Sequence, residues 1–358
     1  MEPEIVRGRG AQSAKASQRF GLNDRVGDGD WRDMMETVDG PPVKLRTTVR
    51  EEFPKTVISF NTSPDLPFDR SINAYRGCEH GCVYCFARPT HAYHDLSPGL
   101  DFETKLFAKP DAPRILRETL ARPRYVPKFI AMGTNTDPYQ PIENTYRITR
   151  QLLQMCLDCR HPVTITTKSD RVLRDLDILT EMAEHRLVAV SISVTSLDAR
   201  LSATLEPRAS SPAKRLAALG TLAAAGIPTH CSVSPVIPAI TDEYLEEIVE
   251  RAGEMNVHSA GWIPLRLPHE VAALFREWLN VHYPERAGKV MGIVRSIRSG
   301  KDNDADFFTR LKPTGVWADL FGSRFRIASR KAGIGGGRLE LDSSQFRRPE
   351  MSGQMRLL

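Results

Sequence analysis

Three cysteines carry the strongest chemical signal in the chain. In Tyr75-Arg76-Gly77-Cys78-Glu79-His80-Gly81-Cys82-Val83-Tyr84-Cys85 the thiols are spaced C-x3-C-x2-C. Thiolates three and four residues apart can converge on one centre if the backbone between them turns sharply, and Gly77 and Gly81 supply that freedom. Three protein ligands leave one position open, as in metal sites that act on a ligand and unlike closed structural ones. A cubane with one free iron is the expected occupant. Zinc completed by His80, His91 or His94 is the alternative, although zinc modules usually show two paired ligand groups far apart. Cys156 and Cys159 share one face of a predicted helix, and Cys231 alternates with Val233 on a predicted strand, so these three are expected in the core.

Periodicity shows which elements must position the loop. Apolar β-type runs at Ile72 to Tyr75, Lys128 to Gly133, Val163 to Thr167, Leu187 to Val194, Thr229 to Pro235 and Val257 to Pro264 alternate with helix-period stretches. Leu173, Leu176, Leu179 and Ala183 line one side of a helix over Arg171 to Glu184. Leu216, Leu219 and Leu222 do so over Ala213 to Ala225, and Tyr244, Leu245, Ile248, Val249 and Ala252 form a third stripe. Ser169-Asp170 is a start signal and Gly226-Ile227-Pro228 a stop. Six strands alternating with helices predict an α/β fold of parallel strands and right-handed crossovers, open and doubly wound or curled toward a barrel. Either way ligands gather at the carboxyl ends of the strands, and the cysteine loop directly follows the first strand. After Pro264 the pattern turns helical, over Glu270 to His282, Glu285 to Arg298 and Ala305 to Leu320.

The chain has 358 residues, 41% hydrophobic and 26% charged, which excludes wholesale disorder, a collagen repeat and a coiled coil. The net charge of +5 is too mild to argue for nucleic acid by itself. It is concentrated, however: Gly322 to Leu358 holds eight basic and three acidic residues. No apolar run approaches the roughly 18 to 20 residues that cross a bilayer, and the first residues carry no signal-peptide core, so a cytoplasmic protein with no membrane partner is expected. Cytosolic thiols stay reduced, which again points the clustered cysteines toward a metal. Four segments are expected: an irregular arm over 1–60, including Gly8-Arg9-Gly10 and Gly27-Asp28-Gly29-Asp30, a core over 61–265, a helical extension over 266–321, and a basic, partly disordered tail over 322–358.

The three-cysteine spacing, with the aromatic Tyr84 before the third cysteine and a six-unit α/β run behind it, resembles the radical S-adenosylmethionine (SAM) superfamily. The stretch from Arg88-Pro89-Thr90-His91 through Leu100-Asp101-Phe102-Glu103-Thr104-Lys105 looks like the branch related to spore photoproduct lyase, often labelled DNA repair photolyases. The resemblance implies a partial (β/α)6 barrel and a [4Fe-4S] cluster held by Cys78, Cys82 and Cys85. In the superfamily the open iron binds SAM, and an electron splits it to a 5′-deoxyadenosyl radical that takes hydrogen from a substrate. An electron donor such as flavodoxin or ferredoxin is implied as well. By the same resemblance the peptide around Tyr84 meets the adenine, and Thr134 and Asp137 are candidates for the SAM amino group. Lys168, Ser191 and Ser193 point toward SAM, and in Glu206-Pro207-Arg208 the arginine grips the SAM carboxylate.

The chain departs from that branch at one place. Spore photoproduct lyases carry a hydrogen-donating cysteine just past strand two, whereas Ile130-Ala131-Met132-Gly133-Thr134 has no thiol; Tyr139 or Tyr93 is the substitute the sequence offers. The specific reaction is therefore left open between lyase-like chemistry and nucleic-acid repair or modification. Two classes stand: a radical SAM enzyme acting on a nucleic acid or protein, and an iron–sulfur redox or sensory protein without SAM cleavage. Lys168, Ser191, Glu206 and Arg208 around the cluster favour the first. Arg324-Phe325-Arg326, Arg330-Lys331, Arg338 and Arg347-Arg348 form a tail able to lie on phosphates, with Phe325 stacking on a base.

Overall fold

A computed structural model describes residues 6, 8–20, 46–335 and 340–350. Gly27-Asp28-Gly29-Asp30 and Arg338 lie outside the described residues. Ten strands form two sheets: β1 (Thr48–Glu51), β2 (Ile58–Phe60), β3 (Arg70–Ile72), β4 (Tyr75–Arg76), β5 (Lys105–Ala108), β6 (Ile130–Met132), β7 (Val163–Thr167), β8 (Val188–Ser193), β9 (Thr229–Val236) and β10 (Ser259–Pro264). The main sheet runs β10-β9-β8-β7-β6-β3-β2, parallel throughout except for β2, which pairs antiparallel to β3. This is a partial α/β barrel of six parallel strands. The crossover helices Ile148–Asp158, Leu176–Glu184, Pro212–Ala224 and Leu245–Glu254 pack their apolar stripes on its convex side.

Two expectations change here. The predicted strand over 72–75 is split: β3 ends at Ile72, and β4 leaves it to pair with β5 in a small sheet of order β1-β5-β4. The cysteine loop thus springs from that small sheet. In addition, residues 1–60 are more than an irregular arm, because β1 and β2 fall within them. The three other cysteines are buried in the main core as expected, Cys156 on the Ile148–Asp158 helix, Cys159 at its C-terminal cap and Cys231 on β9.

The other face of the sheet is concave and polar. Across it Thr166, Ser191, His230 and Ser259 lie in one row, and Ser193, Ser232 and Gly261 in the next. The His230 ring lies over Gly261, where a Cβ would stand 3.1 Å from Nε2, and Nδ1 meets Ser259 Oγ at 2.9 Å.

The helical extension is integral to the site. Val271–His282 and Pro284–Ser296 form a second core in which Val271, Phe275, Trp278 and Val290 pack with Cys82, Val83 and Tyr84 of the cysteine loop. The expected helix over 305–320 is absent. Residues 301–315 are turns and irregular backbone, and the last helix is Val316–Lys331. Pro313 biases the residue before it away from helix, and Gly315 then takes φ +91° at the helix entry. That helix runs through residue 321, so no boundary falls there. The described part of the basic tail is docked as well: Arg324 pairs with Glu246 at 2.6 Å, Phe325 packs on the main core, and Phe346 sits against Tyr125 and His161.

Candidate active site

The cysteine loop is fixed from below by one arginine. Arg88, fully buried, donates from Nε to the Cys82 carbonyl (2.8 Å) and from Nη2 to the Gly81 carbonyl (3.1 Å). Its remaining donors meet the Pro98 and Gly99 carbonyls and the Glu103 carboxylate. Glu103, also fully buried, receives the backbone N–H groups of Gly10 and Ala11 at 3.1 and 2.8 Å. The N-terminal segment therefore crosses directly over the loop, where a Cβ at Gly10 would collide with the Gly81 carbonyl. Gly77 and Gly81 have φ of +71° and +67°, the left-handed turns the spacing required. Gln140 clamps the loop from the other side, donating to the Gly77 carbonyl and accepting from Glu79 N–H.

Cys78 and Cys82 are buried, Cys85 is half-buried, and all three are free thiols. Burial pushes all three thiols up in pKa, with Asp137 adding to this at Cys78 and Glu206 at Cys82. Lys168 works against it at Cys82 and Cys85, and Arg88 at Cys85. Two cations thus stand ready to favour thiolate. Among the described residues no three His, Cys, Asp or Glu groups stand close enough to share one metal ion.

Beside the thiols, three of the residues expected from sequence converge. Lys168 Nζ lies 3.7 Å from Glu206 Oε1 and 5.8 Å from the centre of the Tyr84 ring. The Tyr84 hydroxyl donates to Glu206, as does Thr195 Oγ1 at 2.7 Å. The other Glu206 oxygen takes Arg215, whose buried guanidinium also holds the carbonyls of Ser193 (3.1 Å) and Ser210 (2.7 Å). Burial alone would raise the Glu206 pKa, but the charges of Arg215 and Lys168 hold it at about 2. The group is an ionised carboxylate between two cations.

Other expected residues are placed differently. Asp137 accepts from Thr167 Oγ1 and Lys168 N–H, both at 2.7 Å, from Tyr139 N–H at 2.9 Å, and lies 3.3 Å from His80 Nδ1. It ties the loop after β6 to the end of β7 and to the cysteine loop. Thr134 is half-buried and accepts from Asn73. Arg208 stands outside the group: it pairs with Glu79 at 3.0 Å and meets Thr47 from a side chain 36% exposed. Ser191 and Ser193 lie on the concave face. Tyr139 is buried with Arg174 over its ring, and Tyr93 is 69% exposed beside Phe20, so neither lines that face.

Residues 72–252 match the family profile of the Radical SAM superfamily. The chain belongs to that superfamily. It is 35% identical over 232 residues to an uncharacterized protein of Mycobacterium tuberculosis, covering 64% of this chain and 68% of the relative. An uncharacterized protein of Methanocaldococcus jannaschii is 30% identical over 215 residues, 60% of this chain and 76% of the relative. Among solved structures a spore photoproduct lyase mutant aligns with TM-score 0.54 at 16% identity, covering 85% of this chain and 90% of that one. Another, with bound AdoMet and dinucleoside spore photoproduct, aligns with TM-score 0.52 at 16% identity over 85% and 89%. At such identities the likeness is one of fold. Radical SAM proteins use a [4Fe-4S] cluster and SAM, and these are the cofactors of this chain.

The sequence reading gave no role to Arg88 and Glu103, although both stand in the stretch that carries the resemblance, and it did not single out Gln140, Thr195 or Arg215. Arg215 left a signal, because it shares the spacing of Leu219 and Leu222 on an apolar helix stripe, where an arginine must have a buried partner. Glu103 and Gln140 hold loops through contacts distant in sequence, Arg88 wraps carbonyls within its own irregular segment, and no periodicity marks any of the three.

Proposed function

We propose that the protein cleaves SAM reductively and uses the resulting radical to take hydrogen from a nucleic-acid substrate, with Cys78, Cys82 and Cys85 as cluster ligands. The observation that carries this reading is three free thiols, two buried and one half-buried, on one pinned loop beside a polar concave face. The thiols fit a cluster better than zinc, since a cubane offers each thiolate its own iron while zinc needs its ligands around a single ion. When bound, the cluster supplies one electron to SAM, and SAM supplies the 5′-deoxyadenosyl radical.

The chain's own residues prepare the place. Arg88 and Gln140 fix the loop that presents the thiols, and the crossing N-terminal segment excludes water from it. Lys168, held by Glu206 and the Ser234 carbonyl (3.3 Å), would meet the anionic part of SAM. Ser191 and Ser193 offer hydroxyls farther down the concave face. Arg208 braces the loop through Glu79. Support for a nucleic-acid substrate comes from the aligned lyase, whose structure contains a dinucleoside lesion. A purely redox or sensory protein would have no use for the polar face.

The test is anaerobic reconstitution with iron and sulfide, then SAM and dithionite. Wild type should show cluster absorption and release 5′-deoxyadenosine. Cys78→Ala, Cys82→Ala and Cys85→Ala should each lose both, whereas Cys156→Ala, Cys159→Ala and Cys231→Ala should keep both. Stoichiometric zinc without iron would overturn the reading.

A further inference from the structure

The edge strands β2 and β10 do not pair with each other, so the barrel is open along one side. Contacts cross that gap. Asp65, in the segment after β2, accepts from Arg310 through both oxygens at 2.7 and 2.5 Å and from Phe308 N–H at 3.3 Å. Buried Arg298 clamps the same loop to the end of β10, donating to the carbonyls of Leu265 (2.6 Å) and Arg310 (3.2 Å). The loop over 301–315 is therefore held in place although it has no regular structure.

Two phenyl rings stand out from it. Phe307 and Phe308 are 50% and 56% exposed, and the Arg310 guanidinium lies 4.9 Å from the centre of the Phe307 ring. Phe308 has φ +68°, a left-handed conformation that is strained for a non-glycine residue and that fixed surroundings maintain. Arg266, just beyond β10, is half-buried, and its Nε finds no hydrogen-bond partner among the described residues. Burial and the neighbouring Arg310 both depress its pKa. Asp65 and Asp304 attract it from nearby, but Asp65 is taken by Arg310 and Asp304 receives the Asp306 N–H. A partly desolvated guanidinium whose Nε has no hydrogen-bond partner favours an incoming anion, and its planar fork suits a phosphate.

We propose that Arg266, Phe307 and Phe308 form a docking surface for single-stranded nucleic acid, laid across the open side of the barrel so that one nucleotide can enter the concave face. This rests on the nucleic-acid reading above and locates its contact surface. Exposed rings on a rigid loop stack on bases at small entropic cost, while the Arg266 guanidinium takes the backbone. A duplex fits poorly, because its bases are already stacked and their faces are out of reach. The C-terminal segment is a weaker candidate, since Arg324 and Phe325 are already engaged by the fold.

Fluorescence anisotropy of the reconstituted holoenzyme with a labelled mixed-sequence single strand tests this, with the matching duplex as comparison. Phe307→Ala with Phe308→Ala should weaken single-strand binding about tenfold or more. Arg266→Gln should lower the salt slope by about 0.7, and Arg266→Lys should restore it. Cluster absorption and substrate-free SAM cleavage should match wild type in every variant. If wild type binds the strand and these variants bind equally well, the surface is wrong while the nucleic-acid reading survives. If wild type shows no binding tighter than roughly 10⁻⁴ M, both fall.

Discussion

Arg215 donates from a fully buried guanidinium to Glu206 and to two carbonyls, whereas Arg208 reaches Glu79 from the surface. Removing one partner of a buried pair leaves an uncompensated charge in low dielectric, which costs about 3 to 5 kcal/mol. The Arg208–Glu79 pair is open on the arginine side only, and buried Glu79 also accepts from Thr47 Oγ1 at 2.8 Å, so losing Arg208 leaves a carboxylate that keeps one partner and costs less. Arg215→Ala should therefore lower the urea midpoint severely and Arg208→Ala by clearly less. Similar losses would show that the Glu206 pocket is hydrated. The resemblance directed attention to Arg208 because it follows Glu206-Pro207, and a local motif cannot report which of two nearby arginines turns inward. The cysteines were legible for the opposite reason. Their chemistry depends on short-range spacing, and the two glycines that permit the turn stand within the same motif.

Strands β7, β8 and β9 follow the sequence pattern closely because they are central and covered on one side by helices whose stripes have a clean 3.6-residue period. Legibility fails where an element depends on partners remote in sequence. β4 exists because β5 is there to pair with it, and apolar Phe307 and Phe308 imitate a helix face while facing solvent. The last helix offers an element-scale prediction. Val316–Lys331 packs against Leu245–Glu254, and at Gly253 an added Cβ would lie 2.7 Å from the Ala332 carbonyl oxygen and 2.8 Å from its Cβ. Helix propensity alone would favour Ala over Gly by about 0.8 to 1 kcal/mol. The collision involves backbone, which cannot rotate away, so Gly253→Ala should destabilise and loosen the terminal helix. Hydrogen exchange across residues 316–331 would register it. Slower exchange would mean that the helices separate freely and propensity wins.

Over the whole molecule, acid should loosen the fold before the carboxylates titrate. His161, at the base of the barrel, uses Nδ1 to donate to the Pro162 carbonyl (3.0 Å), so its Nε2 accepts from the Tyr125 hydroxyl (2.7 Å). Phe346 of the C-terminal segment packs edge-on against the same ring. Burial, with Arg70 nearby, holds its pKa down at about 4, and burial does the same to His91 beside the small sheet. An unfolded histidine titrates near 6.5, so between pH 6.5 and 4 the unfolded chain binds protons that the folded one refuses. Stability must then fall as pH drops through that window, by up to about 3 kcal/mol per histidine. Glu206, held at about 2 against an ordinary value of 4.5, contributes stability that is lost only below that upper value. The histidine effect thus acts alone above pH 4.5, and the two overlap only just below it. Urea midpoints at pH 7.5, 6 and 5 should decline steadily in wild type, and His161→Gln should flatten part of that decline while lowering the midpoint at pH 7.5. A wild-type midpoint constant from pH 7.5 to 5 would mean that the imidazoles protonate within the fold and that the C-terminal segment is not fastened through a neutral ring.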